Sequence, residues 1–415
     1  MTHSSPQSPL DPSVYRFIVA IDIGSEQCSF CVFRPDKSLL VKATEMANAS
    51  AGFAQLHERL SRLGGSPEQV LVGMEATSRY GENLFQFLVQ RGYHLCLLHP
   101  AQTHWFAKRR GLRAKTDRLD AQTIGHVLLS GEARVGYVPN DLITSYRELV
   151  RLHGQLSEDL TRHKNEIHAL LQVLFPEFSQ VFADPYRQTA IAVLTRYPSA
   201  QAIRAAGVET LTQLLRRFAP RNYGRETAER LVYLAQHSVS SPMALEARQL
   251  SLQILCQQLT QIQSHLAQLD EELEKLRVRD PESQLLQAIP EFGPQTVAVL
   301  RAELGDVARF HRTDQAVAYA GLDIAIKESG KWQGQAKLSK RGSGLLRQML
   351  YLAAVRSVRF EGSAFGIYYR RLVARGMPKG AALVAVMRKM LIVAVHVLKT
   401  KEVYDPSKVA AACAG

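Results

Sequence analysis

Two aspartates, Asp117 and Asp120, stand three residues apart in "AKTDRLDAQ", directly behind the basic run "KRRGLRAK" at residues 108–115. Residues three apart on a helix project from the same face, so both carboxylates can point to one place. Ion pairing with Arg113 or Arg118 would account for them without any chemistry. The alternative is a metal site beside a phosphate backbone, in which the acids hold the metal and the basic run holds the polyanion.

Two further acids stand at the ends of apolar, β-branched segments. "FIVAIDIGS" (17–25) carries Asp22 near its end, and "VLVGMEATS" (70–78) carries Glu75. Both segments are typical of buried strands, and the ends of neighbouring strands share one edge of a sheet, where ligands gather. Asp22 and Glu75 could meet there, together with the helical pair. Four converging carboxylates would repel one another, and we expect two Mg²⁺ ions, which take hard oxygen ligands, to relieve that repulsion.

The elements around these acids predict a mixed α/β sheet. "QCSFCVF" and "SLLVKATEM" follow the first strand at hairpin spacing, and helices then alternate with strands. Cys28 and Cys31 form a lone CxxC without a second pair, and on a strand their spacing points them to opposite faces. We therefore interpret them as strand residues. Five scattered cysteines fit a reducing cytoplasm.

The formal charge of +13 and the sequence pI near 9.6 favour a polyanionic partner, either nucleic acid or an anionic membrane. Membrane residence is not expected, because the apolar run "MLIVAVHVL" (390–398) is short for a spanning helix. Residues 1–15 lack the features of a signal peptide and are interpreted as a disordered tail. The expected location is the bacterial cytoplasm, in association with the nucleoid during activity.

The middle of the chain carries two leucine patterns of helical period. Apolar residues fall at 252, 255, 259, 262, 266, 269, 273 and 276, which is a coiled-coil seam over four heptads. A weaker pattern from Leu156 to Leu174 predicts a second long helix. The two helices could pair within one chain or between chains, and a compact bundle fits the periodicity equally well. Pairing between chains would give a homodimer or tetramer.

The C-terminal third contains a helical hairpin and a serine in basic surroundings. "LLQAIPEFGPQTVAVLRAELGD" (285–306) resembles a helix-hairpin-helix, in which Gly293 would permit the turn and free amides would face a phosphate. An ordinary helical hairpin is the alternative. Ser329 precedes Gly330 in a polar loop, where a turn serine is the ordinary interpretation. The cations around it are Lys327, Lys331, Lys337, Lys340, Arg341 and Arg347.

These motifs together resemble one family. "VAIDIGS", "GMEATSRYGENL" and "KTDRLDA" look like the DEDD signatures of transposases of the insertion-sequence-110 family, whose first domain is RuvC-like with the RNase H fold. "GLDIAIKESG" and "LSKRGSGLLRQ" are similar to that family's C-terminal domain. The resemblance implies a metal-binding tetrad of Asp22, Glu75, Asp117 and Asp120. It also implies guidance by a structured RNA and helices that bring subunits together.

In the family, the serine of the Ser-Gly pair is the nucleophile, and this role maps to Ser329. Ser339 and Ser343 are weaker candidates in the basic segment that follows. The sequence departs from the family pattern at Glu328, where a second serine or another polar residue is common. The expected function is that of a DNA transposase acting through a phosphoserine-linked intermediate. A RuvC-like nuclease that uses water, such as a junction resolvase, and a catalytically idle nucleic-acid scaffold are the alternatives.

The expected organisation has five parts: a tail (1–15), a RuvC-like domain (16–140), a helical linker with the coiled coil (141–282), a C-terminal serine transposase domain (283–400) and a second tail (401–415). Nucleic acid is expected to contact the cations around Ser329 and the basic run before the aspartate pair. The cations of that run are Lys108, Arg109, Arg110, Arg113 and Lys115.

Overall fold

The structure, a computed structural model, describes residues 10–75, 79–110, 117–133, 136–325, 328–329, 332–333 and 337–409, with the backbone alone at 117–118, 325, 328–329, 332–333 and 337. The chain forms two compact units, residues 1–139 and 140–415. The predicted helical linker and the predicted C-terminal domain therefore belong to one unit.

The first unit is built on a five-stranded mixed sheet. Its strands are β1 (Phe17–Ile23), β2 (Gln27–Phe33), β3 (Leu39–Ala47), β4 (Val70–Glu75) and β5 (His94–Leu98), in the order β3-β2-β1-β4-β5. The hairpins β1–β2 and β2–β3 are antiparallel, whereas β4 runs parallel to both β1 and β5. This α/β sheet confirms the predicted fold class, and its strand order agrees with an RNase H-like domain.

Helices cover both faces of this sheet because β1, β2 and β4 bury side chains on both sides. The helices are α1 (Ser50–Ser61), α2 (Glu82–Gln90), α3 (Pro100–Arg109) and α4 (Asp117–Leu128). Helices α1 and α2 pack on the face that contains Cys28, and α3 and α4 pack on the face that contains Cys31. The two cysteines thus occupy opposite faces of β2, as predicted, and burial raises the pKa of the Cys31 thiol to about 12.

Part of the predicted N-terminal tail is packed on this unit. Residues 1–9 lie outside the described residues, but Pro12–Val14 form a short 3-10 helix. Leu10 and Tyr15 are partly buried against the α3–α4 side of the sheet, and the Tyr15 hydroxyl lies 3.2 Å from Nδ1 of His94. Residues 10–15 therefore belong to the folded unit.

Over its described residues, the second unit is helical apart from four two-residue strands. Its helices are α5 (Asp141–Leu174), α6 (Gln188–Arg196), α7 (Ala200–Phe218), α8 (Arg225–Gln236), α9 (Leu245–Arg279), α10 (Pro281–Gln287), α11 (Pro294–Leu304), α12 (Thr313–Tyr319), α13 (Gly344–Arg359), α14 (Ala364–Ala374) and α15 (Lys379–Thr400). Its strands are β6 (Ile324–Ala325), β7 (Glu328–Ser329), β8 (Trp332–Gln333) and β9 (Lys337–Leu338).

The two long predicted helices are α5 and α9, and they pack against each other within one chain. Leu252 and Leu259 of the predicted seam are fully buried in a core that also contains Ile167 and Leu171 of α5. Nε2 of His163 lies 2.9 Å from the Gln258 side chain across the pair. The leucine seam thus has a partner helix in its own chain, and association between chains stays a prediction.

Helix α15 corrects the expectation that no apolar segment approaches the length of a membrane span. By length and composition it could cross a membrane, and half of its most apolar stretch is buried inside the protein. Val386, Met390 and Leu391 lie in the core shared with α11 and α13. Burial of this kind is what the core helix of a globular unit shows.

The predicted helical hairpin consists of α10 and α11. Gly293 precedes α11 with φ −75°, a backbone conformation that any residue can adopt. A Cβ there would lie 3.3 Å from Nη1 of Arg356, which donates to the Glu291 carbonyl. Phosphate binding at this turn stays a prediction. Of the predicted C-terminal tail, Tyr404 and Val409 pack against the core, and residues 410–415 lie outside the described part.

Candidate active site at the sheet edge

Asp22 and Glu75 end neighbouring parallel strands in the same register. Ile21 of β1 is paired with Met74 of β4, so the next residue on each strand is the acid. Side chains alternate between the two faces of a strand, and Ile18, Ala20 and Leu71 all face α4. Asp22 and Glu75 therefore share the α4 face at the carboxyl ends of their strands. Both are partly exposed.

Helix α4 lies directly on this face and carries the other two acids in its first turn. Its close approach depends on two glycines, because a Cβ at Gly73 would overlap the Leu128 side chain, and one at Gly125 would overlap the Phe33 ring. Asp120 is partly exposed and immediately precedes the buried Ala121. Asp117 begins the helix, and its side chain lies outside the described residues.

Contacts of α3 indicate which end of the sheet receives the first turn of α4. Helix α3 starts beside Glu75, because the hydroxyl of Thr103 donates to Oε1 of that acid. It ends beside the residues that follow α4, because Arg109 forms an ion pair with Glu132 at 3.2 Å. The two helices thus meet at their C-terminal ends. The start of α4 consequently lies toward the edge that holds Glu75.

Within the described part of the chain, no three His, Cys, Asp or Glu residues are grouped closely enough to hold a metal ion. The donor chemistry nevertheless fits Mg²⁺, since hard carboxylate oxygens come from two adjacent strands and one helix. A buried oxygen is also available beside them. Ser29 lies opposite Asp22 on β2, is 2% exposed, and its hydroxyl has no hydrogen-bond partner among the described residues.

Three residues around the acids were missed by sequence reasoning. Thr103 and Ser29 contribute hydroxyls, and Asn48 ties two turns together by donating to the carbonyls of Gly24 at 2.9 Å and Tyr80 at 3.0 Å. None of them belongs to a recognisable motif. The charge of Asp22 also acts on its surroundings, since burial, and then this carboxylate, raise the pKa of the Cys28 thiol.

The predicted basic run begins on the exposed end of α3. Lys108, Arg109 and Arg110 are exposed, and the guanidinium of Arg110 lies 4.9 Å from the centre of the Phe106 ring. Arg113 and Lys115 lie outside the described residues. The described cations thus stand on the helix that contacts Glu75.

Ser329 belongs to the second unit, on the two-residue strand β7, where it is paired with Trp332 of β8. Its side chain, and Lys327 and Lys331, lie outside what the structure describes, and Lys337 is described by its backbone alone, paired with Ala325.

The remaining predicted cations of this loop differ in their contacts. Lys340 and Arg341 are exposed. Arg347 is partly buried, and its Nη1 donates to the carbonyls of Ala320 at 3.1 Å and Gly342 at 2.7 Å. Arg347 therefore holds the backbone of this loop in place. The sequence predicted only that Arg347 is one of the cations near Ser329, not this contact with the backbone.

The two weaker nucleophile candidates have structural contacts. The hydroxyl of Ser339 donates to Oδ1 of Asp323. Ser343 caps α13, because its hydroxyl accepts the backbone N–H of Leu346 at 3.2 Å. Capping of this kind is a common use of serine at a helix start.

Comparisons with known proteins match both units. A transposase model of the IS110 DEDD type matches residues 19–176, which include the four acids, and the model of the transposase IS116/IS110/IS902 family matches residues 283–370, which include Ser329.

Three curated relatives resemble most of the chain. The insertion element IS116 uncharacterized 44.8 kDa protein of Streptomyces clavuligerus is 23% identical over 82% of this chain and 85% of its own length. The insertion element IS900 uncharacterized 42 kDa protein of Mycobacterium paratuberculosis is 24% identical over 92% and 96%. The pilin gene-inverting protein of Moraxella lacunata is 23% identical over 80% and 81%.

Proposed function

Because the chain belongs to the IS116/IS110/IS902 family of transposases, we propose that it cuts and rejoins DNA through a phosphoserine-linked intermediate formed by Ser329. The matching family models describe transposases, and the Moraxella lacunata relative is named a gene-inverting protein; both activities require DNA as the substrate. The serine intermediate, the metal and the guide RNA are the finer parts of the proposal.

The acids Asp22, Glu75, Asp117 and Asp120 would hold divalent cations, two Mg²⁺ ions in the proposal. When bound, such ions neutralise the phosphate and stabilise the attacking and leaving oxygens. The observation that carries this assignment is the register of β1 and β4, which sets Asp22 and Glu75 side by side on the face covered by α4. The hydrogen bond that the Thr103 hydroxyl donates would hold the carboxylate of Glu75 in place.

The chemical step belongs to Ser329. Its Oγ forms a bond to phosphorus while the bond from phosphorus to the departing deoxyribose oxygen breaks, the serine proton passes to a base, and the departing oxygen takes up a proton. The phosphoserine ester retains the energy of the original phosphodiester. The hydroxyl of a second strand can therefore reverse the step on a new partner, so that recombination needs no external energy source.

An RNA encoded by the mobile element would select the DNA sites by base pairing. The family resemblance supports this part of the proposal, and the +13 charge of the chain is compatible with it. Two or four copies of the chain would assemble on DNA. Ser329 belongs to the second unit and the acids to the first, so one chain could supply the serine and another the acids.

Trapping of a covalent intermediate tests the proposal. The purified protein is incubated with labelled element-end DNA, the element's RNA and Mg²⁺, and then denatured. We expect an adduct that resists denaturation, its loss in Ser329→Ala, and its retention in Ser339→Ala. The last variant is the matched control, because it removes a nearby serine hydroxyl from the same basic segment.

The other outcomes identify the alternatives. Cleavage without an adduct, unaffected by Ser329→Ala, would favour the nuclease that uses water. Binding of DNA without cleavage, unchanged by removal of the acids, would favour the scaffold. An adduct that persists in Ser329→Ala would place the nucleophile elsewhere.

Complementation tests whether the site is shared between chains. Ser329→Ala protein and Asp22→Ala protein, each expected to be inactive alone, are mixed under conditions that produce mixed oligomers. Restored cleavage would support sharing, since each variant supplies what the other lacks. Absence of recovery in demonstrated mixed oligomers would place the whole site within one chain.

A further inference from the structure

An exposed tryptophan stands on the helix that contacts Glu75. Trp105 is 61% exposed on α3, whereas Thr103 and Phe106 of the same helix are buried. Thr103 donates to Glu75 from the inner side of α3, so the outer side presents Trp105 two residues further along. Two residues advance about 3 Å along a helix axis. The indole thus faces solvent close to the acid edge, by which we mean the carboxyl ends of β1 and β4 with Asp22 and Glu75.

A lysine and a histidine ring contact this indole, and an arginine follows on the same side of the helix. The ammonium of Lys108 lies 5.2 Å from the centre of the Trp105 ring, and the ring of His104 meets it edge-on at 5.7 Å. Arg109 follows on the same exposed side of the helix, four residues from Trp105. A single exposed apolar side chain needs no explanation by itself. An aromatic face among cations, however, is the combination that binds nucleotides by stacking and charge.

A second exposed aromatic side chain stands on the other side of the same edge. Tyr80 is 56% exposed in the turn after β4, and its carbonyl accepts the Asn48 amide that also binds Gly24 after β1. A Cβ on Gly81 would overlap the Ile23 side chain, so this turn sits tightly against the end of β1. Trp105 therefore lies on the outer side of the helix that contacts Glu75, and Tyr80 lies in the turn packed against the strand that carries Asp22.

We propose that Trp105, with Tyr80 as a second platform, stacks on unpaired bases of a nucleic-acid strand that crosses the acid edge. The inference rests on the proposed function for the location of the catalytic edge, but it concerns binding rather than chemistry. The ligand is a single strand, because paired bases inside a duplex do not offer their faces to a ring on a helix surface. Stacking tolerates any base sequence, since every base has a π-face.

Fluorescence reads this contact directly. The chain contains two tryptophans, Trp105 and Trp332, so a Trp332→Phe protein reports from Trp105 alone. It is titrated, with chelator present to prevent cleavage, with a twelve-nucleotide DNA strand, the RNA of the same sequence and the DNA duplex. We expect single strands to quench the emission and the duplex to quench it much less. Stronger quenching by DNA or by RNA would identify which of the two strands occupies the edge.

Binding of the same strands to variants supplies the second measurement. Trp105→Ala should weaken binding of the preferred single strand about tenfold, a stacking contribution of one base. Trp105→Phe should retain most of the affinity because the ring persists, and Tyr80→Ala should cause a smaller loss. Tyr233→Ala is the matched control, because Tyr233 is 53% exposed with Arg230 5.7 Å from its ring centre, but lies in the second unit.

Several results would overturn the inference: saturating single strands that leave Trp105 emission unchanged, equal quenching by duplex and single strand, or Trp105→Ala protein that binds as tightly as the parent. An equal loss in Tyr233→Ala would also overturn it. The covalent adduct assay keeps the two proposals distinct. An adduct without quenching would contradict only the proposal that Trp105 stacks on bases. Quenching without an adduct would contradict only the proposal that Ser329 is the nucleophile.

Discussion

Two acid clusters in this protein contrast sharply. In the second unit, Asp280 accepts from Nε of Arg301 at 2.6 Å and from Nη2 at 3.3 Å, and Glu282 pairs with both Arg301 and Lys401. Asp280 is 2% exposed and the Arg301 side chain 5%. The Ser283 hydroxyl donates to the same carboxylate at 2.8 Å. Each charge in this cluster is compensated, so the cluster joins α10 to α11.

At the sheet edge, Asp22, Glu75 and Asp120 are partly exposed. Among the described residues, the neutral hydroxyl of Thr103 donates to Glu75. Carboxylates gathered in this way repel one another when they are ionised, and a bound cation would lower that cost. The arginine-paired cluster therefore serves stability, whereas under the proposed function the edge acids would hold a metal ion.

The largest expected effect is the loss of catalysis at the edge. Asp22→Asn or Glu75→Gln should reduce strand cleavage by about a thousandfold or more, because each removes one of the proposed charged metal ligands and nearly preserves shape. DNA binding and the melting temperature should change little. Cleavage assays and thermal melts of the same preparations check both statements. Near-normal cleavage by both variants would contradict the proposal that the edge acids take part in catalysis.

The opposite pattern is expected in the second unit. Asp280→Asn should lower the free energy of unfolding by about 3 kcal/mol, because it leaves the buried Arg301 charge undercompensated. Denaturant melts measure this change, and the activity per folded molecule should persist. Glu272→Gln is the matched control, since its exposed pair with Lys275 at 2.6 Å should contribute little to the free energy of unfolding. Equal destabilisation by the two variants would contradict the argument from burial.

Metal binding should stabilise the edge but not the cluster. At a Mg²⁺ concentration a hundred times its dissociation constant, the unit that binds it gains about 2.7 kcal/mol. We therefore expect Mg²⁺ to raise the calorimetric melting temperature of the first unit in the parent protein and in Asp280→Asn, but not in Glu75→Gln. A Mg²⁺ response that survives in Glu75→Gln would remove this acid from the site.

A smaller effect, on metal affinity, is expected for Thr103, whose neutral hydroxyl donates to Glu75. Thr103→Val should weaken Mg²⁺ binding about tenfold, because the hydroxyl that orients the Glu75 carboxylate is lost while the side-chain volume is kept. Thr103→Ser should restore the affinity. Calorimetric titration of the metal provides the measurement, and an unchanged dissociation constant in Thr103→Val would show that the hydroxyl has no part in orienting the acid.

The smallest effect concerns Tyr146, whose hydroxyl lies 2.9 Å from Oγ of Ser283 beside the arginine cluster. Burial raises the pKa of Tyr146 from 10.0 to about 12. The neutral phenol is thus favoured in the folded state, and its contribution is complete below pH 10 and lost as pH rises toward 12. Tyr146→Phe should cost about 1 kcal/mol at neutral pH and flatten this alkaline loss. Unfolding curves across pH 8–12 that are identical in the two proteins would contradict it.

Local sequence patterns were sufficient to predict several features of this protein. Alternating and continuous apolar runs predicted β1 to β5, and the leucine period predicted α5 and α9, because side-chain direction repeats within each element. The same regularity placed Asp22 and Glu75 at strand ends and Cys28 and Cys31 on opposite faces. These properties depend on residues close in sequence.

Only the tertiary structure decided which elements meet. It placed β1 between β2 and β4, so that Asp22 and Glu75 became neighbours, and it packed the leucines of α9 against α5 of the same chain. It also directed the side chain of Arg347, in α13, to the backbone carbonyl of Gly342, and it joined Asp280 to Arg301, 21 residues away. Such pairings follow from the burial of whole faces and the compensation of buried charge. Both depend on every surface available in the folded chain, and no single segment of sequence contains that information.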